Sequence, residues 1–396
     1  MGIKTIIYVL TTSHYSGAEI VMHRLISSNR RNIEPIVVCA EGEFADILRQ
    51  DGIKVVTTPA LESLFMKNLG WKKVFAPISA LLKSLTLTLF LLKLKKSIGK
   101  NIYAIHANVL MPSVYVLPFI IISKLFFDLK YFRSHLDNSF HGFPPKITKF
   151  FWNICTEIYD ITFVPSQATK DILNKYSPKV YVLYNGIDTQ NHNNSRVDKV
   201  NFKSKYNLQS NTIIIGIVGK IQFSKGHHLL IEAFGKLIKS SGYENCKLVI
   251  IGKYHDGDYK YEEYLQTKVR DIRDYCIFTG QLNNTSQIFS SIDILVNASL
   301  KNYAEPLGTT IIEAMAYSKI VLCSNTGGSP EIIADGNDGF LFEGDNIESL
   351  FKELSMIITK MRAGQLTYIQ QNAVVKIQQK FSLSPMLNTY NHSIGL

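Results

Sequence analysis

The amino-acid sequence predicts an α/β protein built from two doubly wound parallel sheets. Its 396 residues are enough for two domains of about 150–200 residues each. Apolar runs such as Ile213-Ile214-Ile215 and Leu248-Val249-Ile250-Ile251 lack alternating polar residues, which is typical of strands buried on both faces of a parallel sheet. Stretches of helical length separate most of these runs, so the pattern is that of repeated βαβ units.

The order of these runs along the chain predicts the domain organisation. In the first half, strands are predicted at Lys4–Leu10, Pro35–Cys39, Lys54–Thr57, Ile102–His106, Lys130–Ser134, Ile161–Val164 and Val180–Leu183. In the second half, they are predicted at Thr212–Val218, Lys247–Ile251, Cys276–Phe278, Ile294–Val296 and Ile320–Leu322. The polar run Thr189–Asp198 interrupts the alternation and holds too few apolar residues to anchor a core. We therefore expect domains over 1–188 and 212–375, a linker over 189–211, and a helical segment over 376–396 that packs back toward the first domain.

Composition and charge exclude several classes of protein. The chain is 46% apolar and 19% charged, which is typical of a globular protein. Its five cysteines are scattered and form no C-x-x-C pair, which argues against a zinc site or a disulfide scaffold and favours the cytosol. No secretory signal is recognisable before the first strand. The net charge of +11 indicates an anionic partner: nucleic acid, a membrane surface or a phosphorylated small molecule.

Most of the excess charge lies in one region of the first domain. The segment between Ala60 and His135 contains eleven Lys or Arg residues but only two acidic residues, and large apolar residues are mixed among them. A transmembrane helix is disfavoured, because only nine residues separate Lys83 from Lys93 and a span needs about 20. An amphipathic helix on anionic lipid and a solvated basic face over a core helix are the remaining alternatives. The membrane-facing patch would comprise Lys83, Lys93, Lys95 and Lys96.

The segment from Asn302 to Ile332 contains the most informative motif. Glu305 and Pro306 close a loop after a predicted strand, and Gly308 permits a ligand to approach the backbone. A helix is predicted from Thr309, and the free N–H groups and dipole at its start attract phosphate. Glu313 lies about one turn into this helix, where its carboxylate can accept hydrogen bonds from ribose hydroxyls.

A second motif follows the first strand of the second domain. Lys220 and Lys225 flank a loop, and Gly226 precedes a helix predicted to run to about Lys239. Two lysines that converge on one site would hold a diphosphate and neutralise it as it leaves. The alternative is two exposed lysines on an ordinary strand-to-helix loop.

The first domain has two weaker candidates. Gly17 lies at a strand-to-helix turn, a position that suits close approach of a ligand, although a lone glycine is also typical of a simple turn. His106 lies at the end of a predicted strand, where an isolated histidine is either packed, exposed or catalytic.

Taken in order, these motifs resemble those of the family 4 glycosyltransferases, which are retaining enzymes with the GT-B fold: two Rossmann-like domains facing a cleft. The matching segments are Ser16-Gly17-Ala18-Glu19, His106, Val164-Pro165-Ser166, Asn185-Gly186-Ile187-Asp188, Val218-Gly219-Lys220, Lys225-Gly226, Phe278-Thr279-Gly280, Glu305 to Glu313, and Gly327-Gly328-Ser329-Pro330-Glu331. The sequence departs from the family pattern at Ser16, where a second glycine is common, and at Leu307, where phenylalanine is common.

The resemblance implies a role for each donor-side residue. Glu305 and Glu313 would be the two glutamates of the E-x7-E motif, the first facing the donor sugar and the second binding the nucleotide ribose. Lys225, and Lys220 where the family usually has arginine, would hold the donor diphosphate. Further positions are implied at Leu307, Gly308 and Thr309 for backbone N–H groups to phosphate, at Gly17 for the diphosphate, and at His106 beside the donor sugar.

The function implied is transfer of a sugar from a nucleotide diphosphate sugar to an acceptor hydroxyl, with retention and without a metal or other cofactor. The basic, apolar region of the acceptor-side domain predicts a lipid-linked or membrane-held acceptor, as in bacterial surface polysaccharide or glycolipid synthesis. The protein would then be cytoplasmic and peripheral at the inner face of the cell membrane. A sugar-nucleotide epimerase or phosphorylase of the same fold is an alternative. A basic nucleic-acid-binding protein is disfavoured, because no nucleic-acid motif is present.

Overall fold

The computed structural model describes residues 3–10, 17–62, 76–136, 145–174, 177–189, 195–255, 258–282 and 284–396. The chain divides into two compact units. Unit 1 comprises Met1–Gly186 together with Leu383–Leu396, and unit 2 comprises Ile187–Ser382. Each unit is an α/β structure around its own parallel sheet, so the predicted fold class of two doubly wound sheets is confirmed.

Unit 1 contains a seven-stranded parallel sheet in the order β3-β2-β1-β4-β5-β6-β7. Its strands are β1 (Lys4–Val9), β2 (Ile33–Cys39), β3 (Lys54–Thr57), β4 (Ile102–Asn108), β5 (Lys130–Ser134), β6 (Ile161–Val164) and β7 (Val180–Val182). Its helices are α1 (Gly17–Ser28), α2 (Glu43–Gln50), α3 (Ala76–Ile98), α4 (Leu110–Ser123), α5 (Pro145–Ile158), α6 (Gln167–Asn174) and, from the end of the chain, α15 (Leu383–Ser393).

The C-terminal helix α15 is part of the core of unit 1. Met386 and Tyr390 are buried with β1, β2 and α1 residues in one apolar cluster. The Tyr103 hydroxyl donates to the Ile394 carbonyl at 2.5 Å, and the Lys4 ammonium donates to the Gly395 carbonyl at 3.2 Å. Residues at the two ends of the chain therefore complete the same domain.

Unit 2 contains a six-stranded parallel sheet in the order β10-β9-β8-β11-β12-β13. Its strands are β8 (Ile213–Val218), β9 (Cys246–Ile251), β10 (Cys276–Gly280), β11 (Ile294–Asn297), β12 (Ile320–Ser324) and β13 (Phe340–Phe342). Its helices are α7 (Ser195–Lys205), α8 (His227–Lys239), α9 (Tyr259–Val269), α10 (Thr285–Ser291), α11 (Thr309–Ala316), α12 (Ser329–Ile332), α13 (Ile347–Arg362) and α14 (Thr367–Lys380). The continuous apolar runs of β8 and β9 are buried because helices cover both faces of the sheet.

The strand order determines where each sheet can bind a ligand. In unit 2 the first and fourth strands, β8 and β11, are neighbours, and the chain winds away from this pair in both directions. In doubly wound sheets, ligands bind outside the carboxyl ends of the strands at this reversal point. The loops that follow β8 and β11 carry Lys220, Lys225 and Glu305, so the sequence motifs lie where the topology favours a site.

Two segments differ from the sequence expectations. The strand β13 was not anticipated, because three residues between Gly339 and Glu343 are too short to show a period. The segment 189–211, expected as a linker, contains α7, which packs on α10 in unit 2. Its anchors include polar contacts, an ion pair between Lys199 and Asp293 and a 2.6 Å hydrogen bond from Ser286 to Asp198, which apolar composition does not reveal.

Candidate active site

The loop after β8 packs directly against the residues that follow β11. The loop contains a short 3-10 turn, Phe223–Lys225, and then Gly226 with a φ of +67° before α8 begins. A Cβ atom at Gly226 would lie 1.9 Å from the carbonyl oxygen of Ala298. Glycine is needed at this position both for the left-handed backbone and for the close approach of the two loops. This contact fixes Lys225 against the end of β11.

The centre of the site is the carboxylate of Glu305. Its Oε1 atom accepts hydrogen bonds from Lys225 Nζ at 2.7 Å, from Ser299 Oγ at 2.7 Å and from Asn297 Nδ2 at 3.0 Å. The Glu305 side chain is 15% exposed and the Lys225 side chain 30% exposed. Burial alone would raise the pKa of Glu305, but the Lys225 charge and the three hydrogen bonds outweigh it and lower that pKa. Glu305 is therefore held as an anion in a partly water-excluded position.

Ser299 and Asn297 were missed by the sequence analysis. Both lie at the carboxyl end of β11 and direct polar atoms to Glu305. The signal that could have found them is the change from the apolar Ile294-Leu295-Val296 to polar residues at the end of a strand.

The Gly327-Gly328 pair supports the backbone that carries Glu305. A Cβ at Gly327 would lie 2.3 Å from the Glu305 carbonyl oxygen, and one at Gly328 would lie 2.2 Å from the Pro306 carbonyl oxygen. The amide of Gly328 donates to the Glu305 carbonyl at 3.0 Å. Only residues without a side chain permit this packing, so the glycine motif has a structural use in positioning Glu305.

The helix α11 starts immediately after this loop. It runs over Thr309–Ala316, and its N-cap, Gly308, provides no side-chain hydrogen bond. Leu307 is buried, so its side chain is not available to a ligand. The first amides of a helix have no intrahelical acceptor, and together with the dipole they favour an anion. Glu313 is half-buried on the same helix.

The two lysines predicted to bind diphosphate have different environments. Lys225 is held by Glu305, whereas Lys220 is exposed and makes no hydrogen bond or ion pair with the described residues. Lys220 follows Gly219, whose amide donates to the Ile251 carbonyl at 2.9 Å. Lys225 is thus held in place by another side chain, whereas the side chain of Lys220 extends into solvent.

His106 was predicted at an open strand end beside the donor sugar, but it lies in the core of unit 1. It lies inside β4, which extends to Asn108, and it has no exposed surface in unit 1. Its Nδ1 lies 2.8 Å from the Tyr390 hydroxyl and its Nε2 2.8 Å from Ser134 Oγ. Burial lowers the pKa of His106 to about 3, so it is neutral. With both ring nitrogens bonded in the core, His106 connects β4, β5 and α15 and has no ring nitrogen left for a ligand.

Gly17 is the first residue of α1 and is exposed, and a Cβ placed on it would meet nothing within 4 Å. The preceding residues 11–16, which include Ser16, lie outside the described residues. The predicted contact of Gly17 with the diphosphate therefore stays a prediction.

The basic region forms a mixed apolar and cationic surface on α3, α4 and the residues 124–127 that follow α4, which we call the α3–α4 surface. The two helices pack together, and residues such as Leu87 and Leu91 are buried in the core beneath them. Exposed apolar side chains on the surface are Ile78, Leu81, Leu82, Leu85, Leu89, Ile121, Ile122, Leu125, Phe126 and Phe127. Leu125 is 76% and Phe126 72% exposed. Among the described residues, no helix has the length and apolar character to cross a membrane.

The four lysines predicted for this patch are not equivalent. Lys83 donates to the Glu62 carbonyl at 2.5 Å, and burial lowers its pKa. Lys95 donates to the Gly99 carbonyl at 2.6 Å. Lys93 and Lys96 are exposed. These last two are the lysines of the set most accessible to an anionic surface.

Comparison with known proteins bears on both the fold and unit 2. Residues 198–373 match the family model described as "Glycosyl transferases group 1". Over 215 residues the chain is 31% identical to an uncharacterized glycosyltransferase, MJ1607, of Methanocaldococcus jannaschii, covering 53% of this chain and 52% of that protein. Over 223 residues it is 26% identical to an N-acetylgalactosamine-N,N'-diacetylbacillosaminyl-diphospho-undecaprenol 4-alpha-N-acetylgalactosaminyltransferase of Campylobacter jejuni, covering 55% and 56%. The chain thus spans about half the length of the curated relatives it matches.

The crystal structure of Anabaena HepE in complex with UDP-glucose is similar over 99% of both chains, with a TM-score of 0.78 and 19% identity. The protein therefore has the GT-B fold, as the motif resemblance implied. The group 1 match covers the strands, helices and loops that carry Lys220, Lys225, Glu305 and Glu313.

Proposed function

We propose that the protein is a retaining glycosyltransferase of family 4 that transfers a sugar from a nucleotide diphosphate sugar to an acceptor hydroxyl. The observation that carries the proposal is the Lys225–Glu305 cluster at the β8/β11 reversal point, within the segment that matches the group 1 model. It places a fixed cation, a fixed carboxylate and a helix N-terminus on adjoining loops. This combination suits a substrate with an anionic diphosphate and a hydroxyl-rich sugar.

Each group has a distinct task in the proposed reaction. The leaving diphosphate gains negative charge in the transition state, and Lys225, Lys220 and the amides at Gly308 and Thr309 stabilise that charge. Because Lys225 is already positioned, it needs no reorganisation during the reaction. Glu305 accepts hydrogen bonds from hydroxyls of the donor sugar, and Glu313 from those of the ribose. The acceptor hydroxyl attacks the anomeric carbon on the face from which the diphosphate leaves, and the donor phosphate takes the proton of that hydroxyl. The anomeric configuration is therefore retained.

The first experiment is a thermal-shift screen with UDP-, GDP- and dTDP-sugars, followed by product analysis with the donor that stabilises the protein. HepE was crystallised with UDP-glucose, which makes UDP-sugars the first choice. Lys225→Met should reduce turnover at least about thirtyfold, because one such contact contributes ~2 kcal/mol or more. Lys239→Met, an exposed lysine at the far end of α8, is the matched control. A product with inverted anomeric configuration, or isomerisation or phosphorolysis without transfer, would contradict the proposal.

We also propose that the acceptor is lipid-linked and that the α3–α4 surface rests on the anionic inner face of the cell membrane. Supporting this are the exposed Leu125 and Phe126 after α4, the exposed Lys93 and Lys96 on α3, and the Lys95 ammonium, which lies 5.3 Å from the centre of the Phe127 ring and so joins the two segments. Basic and apolar side chains on one surface are typical of proteins at membrane interfaces. The name of the Campylobacter relative includes a diphospho-undecaprenol, a lipid-linked acceptor. Synthesis of surface polysaccharide or glycolipid is the corresponding process.

Cosedimentation with phosphatidylglycerol and phosphatidylcholine vesicles tests the membrane proposal. Binding should require the anionic lipid, fall with a Lys93→Gln/Lys96→Gln pair, and fall with a Leu125→Ser/Phe126→Ser pair. Ile172→Ser is the control, since Ile172 is a 64% exposed apolar residue of unit 1 on α6, outside the α3–α4 surface. If both double variants bind the anionic vesicles as well as the wild type does, the proposal is contradicted.

The proposed reaction uses no metal ion or other cofactor. In this proposal the fixed charge of Lys225 and the start of α11 neutralise the diphosphate, which is the task of a divalent cation in metal-dependent transferases. Metal-dependent transferases carry an Asp-x-Asp motif, and this chain has such a sequence at 256–258. Its first two residues lie outside the described part of the chain. We expect the protein to keep full activity in EDTA. If activity is lost in EDTA and returns when Mg²⁺ or Mn²⁺ is added, the proposal is contradicted.

A further inference from the structure

Two exposed aromatic side chains belong to the turns that lead into the Lys225–Glu305 cluster. Phe223 lies two residues before Lys225, and Tyr303 two residues before Glu305. Their side chains are 48% and 56% exposed, and their ring centroids lie 6.5 Å apart with the rings almost perpendicular, at 89°. Each belongs to a short 3-10 turn, and the turns are joined by a 3.0 Å hydrogen bond from the Leu300 amide to the Ser224 carbonyl.

The Phe223 ring is held in place from behind. One face stacks on the His228 ring at 4.9 Å and 8°, and the ring meets Tyr261 edge-on at 5.8 Å and 80°. His228 and Tyr261 are buried, and Nδ1 of His228 lies 3.0 Å from the Tyr261 hydroxyl. The exposed part of Phe223 is therefore a rigid surface, because the ring packs on the hydrogen-bonded His228 and Tyr261 side chains. Ordering this ring costs no further entropy when a ligand arrives.

Single exposed aromatic residues are common on protein surfaces and carry no meaning alone. Here two of them form an ordered pair, and each lies two residues along the chain from Lys225 or Glu305. The face of an aromatic ring is electron-rich. The C–H bonds on one face of a pyranose ring carry partial positive charge, so the two surfaces attract, while the hydroxyls at the ring edge remain free for Glu305.

We propose that Phe223 and Tyr303 form a platform for the pyranose ring of the donor and help to determine which sugar is accepted. The inference rests on the proposed function. In that arrangement, α11 and Glu313 hold the nucleotide, while Glu305 holds the sugar, and the two aromatic residues adjoin the Glu305 end. The platform therefore acts on the sugar and leaves binding of the nucleoside diphosphate unchanged.

The test compares the dissociation constants of a nucleoside diphosphate and its nucleotide sugar. The probes are UDP with UDP-glucose, GDP with GDP-mannose, and dTDP with dTDP-glucose, and the pair that stabilises the wild type is used for titration calorimetry. Phe223→Leu and Tyr303→Leu keep apolar surface but remove the aromatic face. Tyr368→Leu is the control, because Tyr368 is 53% exposed on α14 of the same unit. Circular dichroism verifies that each variant is folded.

In both variants the Kd of the nucleotide sugar should rise about fivefold to twentyfold, while the Kd of the nucleoside diphosphate stays within about twofold. The control should change neither constant. An unchanged ratio of the two constants overturns the platform. If both constants rise equally, the rings contact the nucleoside diphosphate, as a nucleobase stacked on them would, and not the sugar. A wild type that binds none of the three pairs overturns the proposed function itself, and the platform with it.

Discussion

Replacing Lys225 with methionine tests whether the ion pair with Glu305 holds the centre of the site. Methionine keeps an unbranched apolar stem of similar length but removes the ammonium that donates to Glu305 Oε1 at 2.7 Å. Ser299 and Asn297 can still donate to the same oxygen. The carboxylate then lacks its counter-charge, and the effect of burial, which raises the pKa of Glu305, is no longer offset by the lysine.

The expected loss of stability follows from the exposure of the two side chains. A fully exposed pair contributes about 0–1 kcal/mol, whereas breaking a fully buried pair costs about 3–5 kcal/mol. With Glu305 15% and Lys225 30% exposed, solvent screens part of the interaction. We expect a loss of about 2 kcal/mol at pH 7.5, which corresponds to about 4–8 °C in Tm for a domain the size of unit 2.

The pH dependence gives a more specific signature. In the wild type, the pKa of Glu305 is lowered by folding, so its contribution is present above the unfolded-state pKa and is lost as the pH falls through the folded-state value. In Lys225→Met the pKa rises instead, and the carboxyl becomes protonated at a higher pH. The difference in unfolding free energy between the two proteins should therefore be largest near neutral pH and shrink in the acidic range.

Urea unfolding followed by far-UV circular dichroism at pH 7.5, 6 and 5 measures this difference. Tryptophan fluorescence supplies an internal reference, because both tryptophans, Trp71 and Trp152, precede unit 2 in the chain. Lys239→Met serves as the lysine control. A loss below about 0.5 kcal/mol at pH 7.5, or a loss that does not vary with pH, would refute the view that Lys225 keeps Glu305 ionised.

Three further substitutions separate positioning from binding. Lys220→Met should change stability by less than about 0.5 kcal/mol, because Lys220 is exposed, yet weaken donor binding about tenfold in calorimetry. Gly226→Ala should cost more than about 2 kcal/mol in thermal unfolding, because the new Cβ would lie 1.9 Å from the Ala298 carbonyl oxygen on a left-handed backbone. Tyr390→Phe removes the partner of His106 Nδ1 and should cost about 1–3 kcal/mol in urea unfolding, with no change in donor Kd. Stability of Gly226→Ala equal to wild type, or a changed donor Kd in Tyr390→Phe, would count against these assignments.

Much of the fold could be predicted because strands such as β1, β8 and β9 are continuous apolar runs buried on both faces. Each of the predicted strands is present, and β8 and β9 differ from their predicted bounds by one residue at most. The elements that escaped prediction depend on contacts with other elements and not on a sequence pattern of their own. The helix α7 is anchored by Asp293, nearly a hundred residues later, and β13 is a three-residue edge strand that pairs only with β12.

The site was predictable to the extent that the backbone, and not a distant side chain, places its residues. Lys225 and Glu305 each follow a strand at the reversal point, so local sequence and topology suffice to bring them together. His106 also lies near a strand's carboxyl end, but the side of the sheet it faces is covered by Tyr390, almost three hundred residues away. A strand-end histidine therefore has no fixed meaning until the element that covers it is known.

The lysines of the chain lie in at least two physically different surroundings, and the two uses proposed for them differ accordingly. Lys93 and Lys96 are exposed, so at an ionic strength of 0.15 M their attraction to an anionic surface is screened beyond about 8 Å. Lys225 lies against a carboxylate that is 15% exposed, where salt penetrates poorly and screening is weak. Raising the salt concentration should thus release the protein from anionic vesicles well before it weakens donor binding. The net charge of +11 specifies only how many cations are present; the burial and partners of each lysine indicate what it can bind.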